Sequence, residues 1–238
     1  MENRREECSM AALSIVILSA VRQSRTESKD DLKPERLCLF PSPIEKCTRE
    51  NHFFMTRIRS LKPNVTRDEA IRQFSPRGPS ALIRNFAFGP LRSVAELYVP
   101  FHLFRVQIVN RGITEERLVA LDAVSGTLDL YQFEHLPAEA ETVAVETRNC
   151  PSAELPDPVA IEVVVAKLRR IFYSRGFFRM RNLQITAVPL AVELHIPYWL
   201  GFRGSERRAR VSVIDAVRRR PEGAKVRRLV ETWLTENN

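Results

Sequence analysis

The chain of 238 residues is 44% hydrophobic and 28% charged, values that are ordinary for a globular protein. This length allows one large domain or two small ones. Its 37 Lys and Arg residues exceed its 29 Asp and Glu residues and give a formal net charge of +8. Residues 1–54 are neutral, so the whole positive excess lies in residues 55–238. No apolar run reaches the roughly 18–20 residues of a membrane-spanning helix, so we expect no transmembrane segment.

Residues 1–54 show no sustained helical or strand period, and we expect a loose or disordered segment there. The apolar run Ala11–Val21 has the length of a signal-peptide core, but mixed charges precede it and no clean cleavage site follows. We therefore expect a cytoplasmic location, with export as the alternative. The change in character at Met55 also suggests the hypothesis that translation starts there.

The four cysteines, Cys8, Cys38, Cys47 and Cys150, show no Cys-x-x-Cys spacing. A zinc site needs clustered thiolates or imidazoles, so we expect free thiols and no cofactor. A disulfide between Cys38 and Cys47 is the alternative for an exported protein.

An internal repeat is the main organising feature of the sequence. The segment Glu96–Phe101 recurs as Glu193–Tyr198 at a spacing of 97, and Leu121–Val124 recurs as Ile214–Val217 at a spacing of 93. Such self-similarity predicts a duplicated structural unit. We expect an α+β fold in which two helix-plus-antiparallel-strand units form a pseudo-twofold pair. The predicted divisions are a first unit at 55–133, a linker at 134–157 and a second unit at 158–238.

The first unit begins with the capping box Thr66–Glu69, which predicts a helix that runs to about Phe74. Apolar residues then alternate with polar ones over 93–109, which predicts a strand with one buried face. The turn Asn110–Gly112 leads into strands predicted at 117–124 and 128–133.

The second unit begins at Asp157 and Pro158, an N-cap and first-turn pair that predicts a helix, although the β-branched run Val163–Val165 leaves a strand possible. Strands follow around 193–200 and 210–217, and a helical period marks residues 226–234. Both long strands carry a proline, Pro100 and Pro197, which predicts a sheet edge or a bulge at that point.

Catalytic chemistry has little support in the sequence. No nucleotide-binding, hydrolase or zinc-protease motif is present. The repeat matches Glu96 with Glu193 and Asp122 with Asp215, whereas His102 and His195 fall at unmatched positions. We expect the aspartates to cap turns and the glutamates to pair with arginines. Glu193 and His195 are weak candidates for metal ligands. Convergence of Glu96, His102, Glu193 and His195 in one cleft would favour an enzyme.

Two basic stretches, 167–181 and 203–228, are the candidate polyanion surface, because arginines interleaved with aromatic residues suit phosphate contacts and base stacking. The alternative is a solvated surface over a buried aromatic core. The candidate residues are Lys167, Arg169, Arg170, Arg175, Arg179, Arg181, Arg207, Arg208, Arg218, Arg219, Arg220, Arg227 and Arg228.

One family resemblance lies in the first unit. Residues Thr66–Ile71 open a helix, and Leu118–Leu128 carry an Asp-Ala-Val-Ser-Gly-Thr turn after a strand. Together, over residues 64–130, these features resemble the PepSY-type pattern. The second unit departs from that pattern, because Arg218–Arg220 replace the Ser-Gly of the turn. The resemblance implies a non-catalytic binding or inhibitory module, often outside the cytoplasm.

The sequence therefore favours a non-enzymatic binding or interaction protein without a cofactor. A nucleic-acid- or polyanion-binding protein is the alternative, and a metal-dependent or acid–base enzyme comes third. The sequence identifies no partner; a protein or a polyanion is the expectation, and self-association through edge strands is a further expectation.

Overall fold

The computed structural model describes residues 55–75, 86, 89–174, 182–204 and 210–236. The segment predicted to be loose, with Ala11–Val21 and three of the four cysteines, lies outside the described residues. The described part is an α+β fold with three helices and a curled mixed sheet, which confirms the predicted class. Its elements are β1 (Thr56–Leu61), α1 (Arg67–Phe74), β2 (Leu91–Asn110), β3 (Ile113–Asp122), β4 (Tyr131–Phe133), β5 (Thr142–Thr147), α2 (Asp157–Ser174), β6 (Gln184–Arg203), β7 (Arg210–Asp215), β8 (Arg220–Pro221) and α3 (Ala224–Glu236).

Helix α1 begins with the predicted capping box. The Glu69 amide donates to the Thr66 hydroxyl, and the Thr66 amide donates to the Glu69 carboxylate. This reciprocal pair satisfies two amides that a helix start otherwise leaves without partners. The same hydrogen bond from the Thr66 amide is the main reason why the pKa of Glu69 lies below its usual value.

The interval predicted to be a linker contains a strand. Strand β5 lies within 134–157 and pairs antiparallel with β1 from Thr56 opposite Thr147 to Leu61 opposite Thr142. Only Thr142 and Thr147 of β5 are buried, so its exposed middle shows no apolar alternation from which a strand could be predicted. The predicted third strand of the first unit is shorter than expected, since only Tyr131–Phe133 pair with β3.

Strands β2 and β6 form the centre of the sheet and pair antiparallel along most of their 20-residue lengths. The sheet order is β4-β3-β2-β6-β1-β5, and β7 pairs with both β6 and β8. The only parallel contact in the described sheet joins β1 to β6 at Ser60 and His195. After β5, the Asn149 carbonyl accepts the Tyr98 amide at 2.9 Å, so the sheet curls back onto β2.

The two strand prolines lie in central strands rather than in edge strands. Each proline nevertheless lies one residue beyond the end of a ladder, because the pairing of β2 with β3 begins at Phe101 and that of β6 with β7 begins at Tyr198. The missing proline N–H therefore removes no ladder hydrogen bond. The carbonyls of Pro100 and Pro197 accept the amides of Ala123 and Ala216 at 2.8 and 3.1 Å.

Three clusters of buried side chains hold the helices against the sheet. Helix α3 packs through Val226, Val230 and neighbouring residues against the face of β2 that carries Leu97 and Val99. Helices α2 and α1 cover the other face in two separate clusters, one containing Phe104 and Val164 and the other Phe74 and Trp199. The observed helix α2 excludes the alternative strand at Val163–Val165. In the described residues, no helix is long and apolar enough to cross a membrane.

Residues that the repeat equates make equivalent contacts. Val99 and Ile196, which are 97 positions apart, lie directly opposite each other in the central ladder. The Ala216 carbonyl accepts the Val65 amide at 3.0 Å, and the Ala123 carbonyl accepts the Leu155 amide at 2.9 Å. The two segments that lead into α1 and α2 are therefore fixed in the same way.

Both repeated aspartates accept hydrogen bonds from the turn that follows a strand, as predicted. Asp122 accepts the amides of Ser125, Gly126 and Leu128, and its two oxygens share them. Asp215 accepts the amides of Val217 and Arg218 through Oδ1 alone. Among the described residues its buried Oδ2 has no hydrogen-bond partner, so the two turns differ in how well they satisfy the carboxylate.

Candidate functional site

The regular pairing of the central strands shifts register at two places, between Leu91 and Ser93 and between Phe101 and Leu103, and the second place is a bulge in β6. Phe101 faces Leu194 and Leu103 faces Leu190, so three residues, Ala191–Glu193, lie opposite the single residue His102. Such bulges bend a strand and often re-aim side chains beside binding or active sites. A groove of about 720 Å³ opens here, between the bulge and the segment that joins β5 to α2.

The groove combines apolar walls with a few polar groups. Pro100, Phe101, Leu190 and Leu194 contribute apolar surface, and His102, Cys150, Asp157, Glu193 and His195 contribute polar atoms. Of the described residues that line it, none is Lys or Arg, although the whole chain carries 37 of them. The groove is therefore an acidic and apolar site on a strongly basic protein.

His102 lies between the β6 bulge and the start of α2. Its Nε2 lies 2.9 Å from the Leu155 carbonyl, which can only accept, so Nε2 carries a proton and donates. Its Nδ1 lies 3.5 Å from Asp157 Oδ1. Both ring nitrogens therefore face oxygen acceptors at the N-terminus of α2, and the ring is held in one orientation.

His195 lies on β6 beside the bulge and is only 3% exposed. Its Nδ1 lies 3.1 Å from the Arg59 carbonyl and must donate to it. Burial lowers the pKa of His195 below its usual value, so the neutral ring predominates at pH 7. In this tautomer Nε2 is a bare acceptor, and it lies 3.9 Å from Glu193 Oε1.

The two repeated glutamates are in different situations. Glu96 lies in the regular ladder opposite Trp199, and its carboxylate accepts the Tyr98 hydroxyl at 2.8 Å. Glu193 lies in the bulge, and its corresponding neighbour is His195, which offers no proton at Nε2. Among the described residues, no donor forms a hydrogen bond with the Glu193 carboxylate. The prediction that both glutamates pair with arginines is therefore wrong.

Cys150 is the only cysteine within the described residues, and it is a free thiol that lines the groove. Burial, with a smaller effect from the negative charge of Glu193, raises the pKa of Cys150 to about 11. Its thiol donates weakly to the Pro151 carbonyl at 3.5 Å. A thiol with this pKa is protonated at pH 7 and is a poor nucleophile.

The structure brings together three of the four residues whose convergence would favour an enzyme. His102, Glu193 and His195 line the groove, whereas Glu96 does not. No group of three or more potential metal ligands occurs in the described part of the chain. The weak metal candidates Glu193 and His195 thus form a pair without a third ligand there.

Sequence reasoning did not identify Asp157 and Cys150 as site residues. Asp157 was interpreted only as a helix cap, and Cys150 was placed in a linker. No local pattern signals the bulge either, because it depends on the register between two strands that are distant in sequence. The features of the sequence that indicated this site were Glu193, as one of the repeated glutamates, and the two histidines His102 and His195.

The candidate basic residues divide into those with internal contacts and those exposed to solvent. The Lys167 ammonium donates to the Leu128 carbonyl, and the Arg218 guanidinium lies 3.3 Å above the Tyr131 ring. These two cations attach α2 and the β7–β8 turn to the segment before β4. The exposed ones are Arg169, Arg170, Arg219, Arg220, Arg227 and Arg228. The candidates Arg175, Arg179, Arg181, Arg207 and Arg208 lie outside the described residues.

The exposed arginines do not form one continuous surface in the described part. Arg169 and Arg170 project from α2, which packs on one face of the sheet, whereas Arg227 and Arg228 belong to α3 on the opposite face. Arg220 also pairs with Glu222 at 3.1 Å. A second groove of about 410 Å³ lies beside α3, and Lys225, Arg228 and Glu236 contribute charges to it.

The PepSY-type resemblance of residues 64–130 stays a prediction. No family model, curated protein or solved structure matches this chain.

Proposed function

We propose that this protein is a non-enzymatic binding protein whose ligand site is the groove at the β6 bulge. The observation that carries the proposal is the bulge itself, which opens about 720 Å³ between the two central strands and the start of α2. This volume falls within the range of roughly 300–1,000 Å³ of small-molecule sites, which are apolar with a few oriented polar groups.

The polar groups of the groove support binding rather than catalysis. Both histidine rings are tied to main-chain carbonyls, through His102 Nε2 and His195 Nδ1, and this orients them without activating a nucleophile. The one thiol, Cys150, has a raised pKa and reacts slowly at pH 7. Fixed rings and carboxylates of this kind suit the recognition of a ligand's polar atoms.

We also infer that the chain contains a duplicated unit arranged about a pseudo-twofold axis near Val99 and Ile196. Support comes from their opposite positions in the ladder and from the equivalent hydrogen bonds that precede α1 and α2. The bulge breaks this symmetry, because Val94–Glu96, the counterparts of Ala191–Glu193, pair regularly with β6. The proposed site therefore lies where the two units differ.

A fragment screen by ligand-observed NMR would test the binding role. We expect saturable binding of small amphipathic compounds to the full chain, and loss of that binding in Ala191→Trp, which fills the groove from the exposed bulge. The matched control is Ala166→Trp, at an exposed position on α2 away from the groove.

Equal binding by both tryptophan variants would contradict the proposal. The polyanion alternative would instead be supported by salt-dependent binding of DNA in the absence of any groove ligand, because such binding depends on neutralised phosphates. That binding should be lost in a variant that carries Arg169→Glu, Arg170→Glu, Arg219→Glu and Arg220→Glu.

A further inference from the structure

Within the groove, the Glu193 carboxylate lacks the donor that its counterpart has. The Tyr98 hydroxyl donates to Glu96 at 2.8 Å, and the repeat places His195 where Tyr98 stands. His195 uses its proton on the Arg59 carbonyl, so it presents an acceptor towards Glu193 rather than a donor. The second unit has thus kept the glutamate and replaced its partner with a group that cannot satisfy it.

The two acceptors lie close enough for one ligand atom to join them. His195 Nε2 and Glu193 Oε1 are 3.9 Å apart, and both residues line the groove. A primary ammonium carries three donors and no acceptor, so it can donate to both at once. His195 is only 3% exposed and its Nδ1 is fixed by the Arg59 carbonyl, so its ring keeps one orientation at the groove.

The charge of the groove agrees with a cationic ligand. Its described carboxylates are Asp157 and Glu193, and no described Lys or Arg lines it. Asp157 Oδ1 lies 3.5 Å from His102 Nδ1, and Glu193 Oε1 lies 3.9 Å from His195 Nε2. In each neutral ring the proton is on the other nitrogen, so neither carboxylate receives a hydrogen bond from its histidine. A bound cation therefore meets two carboxylates and no described Lys or Arg in the groove.

The apolar part of the groove lies beside this acceptor pair. Leu190 and Leu194 flank the bulge, and Pro100 and Phe101 lie across from it on β2. A ligand that places an ammonium at Glu193 can therefore extend a short apolar chain along these side chains and remove apolar surface from water.

We propose that the groove binds the protonated primary amine of a short amphipathic ligand, with its nitrogen between Glu193 Oε1 and His195 Nε2. This inference rests on the proposed function, since it names the ligand class of the same groove. The carboxylate contributes a charge-assisted hydrogen bond, and the neutral ring contributes the second acceptor.

Hexylamine, hexan-1-ol and hexanoate test the inference, because they share one chain and differ in the head group. Isothermal titration calorimetry on the full chain at pH 7 is expected to give affinities in the order amine, alcohol, carboxylate. Because the ammonium carries a full charge and donates to both acceptors, whereas the hydroxyl has one proton to donate, the amine is expected to bind roughly tenfold or more tightly than the alcohol.

Glu193→Gln is expected to remove the preference for the amine over hexan-1-ol. The matched control is Glu96→Gln, which alters the repeat counterpart outside the groove and should retain the preference. In the wild-type protein, the ¹⁵N resonance of His195 Nε2 should shift when hexylamine binds, because this atom gains a donor.

Equal affinity for the three compounds, a preference that survives Glu193→Gln, or no binding of any hexyl probe would overturn the amine inference. The groove proposal fails on a different result, which is equal fragment binding by Ala191→Trp and Ala166→Trp. If Glu96→Gln also lost the preference for the amine, the loss would reflect a general change in the fold and would count against the inference.

Discussion

His102 and Trp199, which the repeat equates, make the same hydrogen bond with different rings. His102 Nε2 donates to the Leu155 carbonyl at 2.9 Å, and Trp199 Nε1 donates to the Val65 carbonyl at 2.9 Å. Each accepting carbonyl lies just before a helix, α2 or α1. An imidazole and an indole are interchangeable here because both present a ring N–H to an acceptor that would otherwise be left unpaired.

We expect Trp199→Phe to loosen the start of α1 and His102→Phe to loosen the start of α2. Each variant keeps an aromatic ring but leaves a carbonyl without its donor, at a cost of about 1–3 kcal/mol. Amide hydrogen exchange measured by NMR should show faster exchange in Arg67–Phe74 for the first variant and in Asp157–Ser174 for the second. Equal acceleration of both helices in both variants would contradict this local anchoring.

Asp122→Asn should destabilise the protein more than Asp215→Asn at pH 7. Both Asp122 oxygens accept amides, so an asparagine NH₂ would oppose one donor, whereas Asp215 Oδ2 has no partner among the described residues. We expect the difference in unfolding free energy, measured by urea titration, to be at least about 1 kcal/mol. An equal loss in the two variants would show that the unpartnered oxygen has no energetic consequence.

Acid should reveal the cost of burying Asp215. Burial raises the pKa of Asp215 above that of the unfolded chain, so its ionised form opposes folding at pH 7. As pH falls through the folded pKa this cost disappears, and the wild type should gain stability relative to Asp215→Asn. Urea titrations of both proteins from pH 7 to 4 measure the difference; a difference that is constant with pH would contradict the prediction.

The contribution of His195 to stability should change with pH in the opposite direction. Its pKa is lowered by burial, so the unfolded chain binds the proton more readily, and its contribution to stability is lost as pH falls from about 6.5 through the folded pKa. In His195→Asn the amide group can still donate to the Arg59 carbonyl. Urea titrations from pH 8 to 5 should therefore show a steeper loss in the wild type than in this variant. Parallel plots of unfolding free energy against pH for the two proteins would contradict this prediction.

Gly201→Ala should be destabilising because α1 approaches β6 closely at this point. A Cβ at Gly201 would lie 2.8 Å from the ring of Phe74, which is buried. Overpacking of this kind costs about 1–3 kcal/mol. Adding Phe74→Leu should recover part of the loss, so thermal unfolding of the single and double variants should be non-additive. Additive losses would show that the two positions do not share this contact.

Arg218→Gln should destabilise the fold, whereas Arg170→Gln should not. The Arg218 guanidinium stacks on Tyr131 and donates to the Leu130 carbonyl, while Arg170 is exposed on α2. A cation–π contact of this kind contributes about 0.5–2 kcal/mol. Urea titration of the two variants would separate a structural arginine from a solvated one, and equal midpoints would contradict the distinction.

Local sequence patterns were sufficient for the elements whose stability is local. The Thr66–Glu69 capping box predicted α1, and the alternation of apolar residues predicted β2, because a cap and a two-residue period are visible within a few positions. The C-terminal helix α3 was predicted for the same reason, from apolar residues at helical spacing on its buried side. The turn aspartates also followed from local chemistry.

The tertiary structure alone decided the pairing of distant segments. It placed β5 against β1 and set three residues of β6 opposite His102, and neither follows from any local period. It also turned Lys167 and Arg218 towards internal partners. The sequence by itself determined the α+β class and the elements with a local pattern, such as α1, β2 and α3, and it marked Glu193 as one of a repeated pair. The register of β2 against β6 places Glu193 in the groove, where its carboxylate has no hydrogen-bond donor among the described residues. That register could not be read from a local pattern, because it depends on contacts between residues about 90 positions apart along the chain.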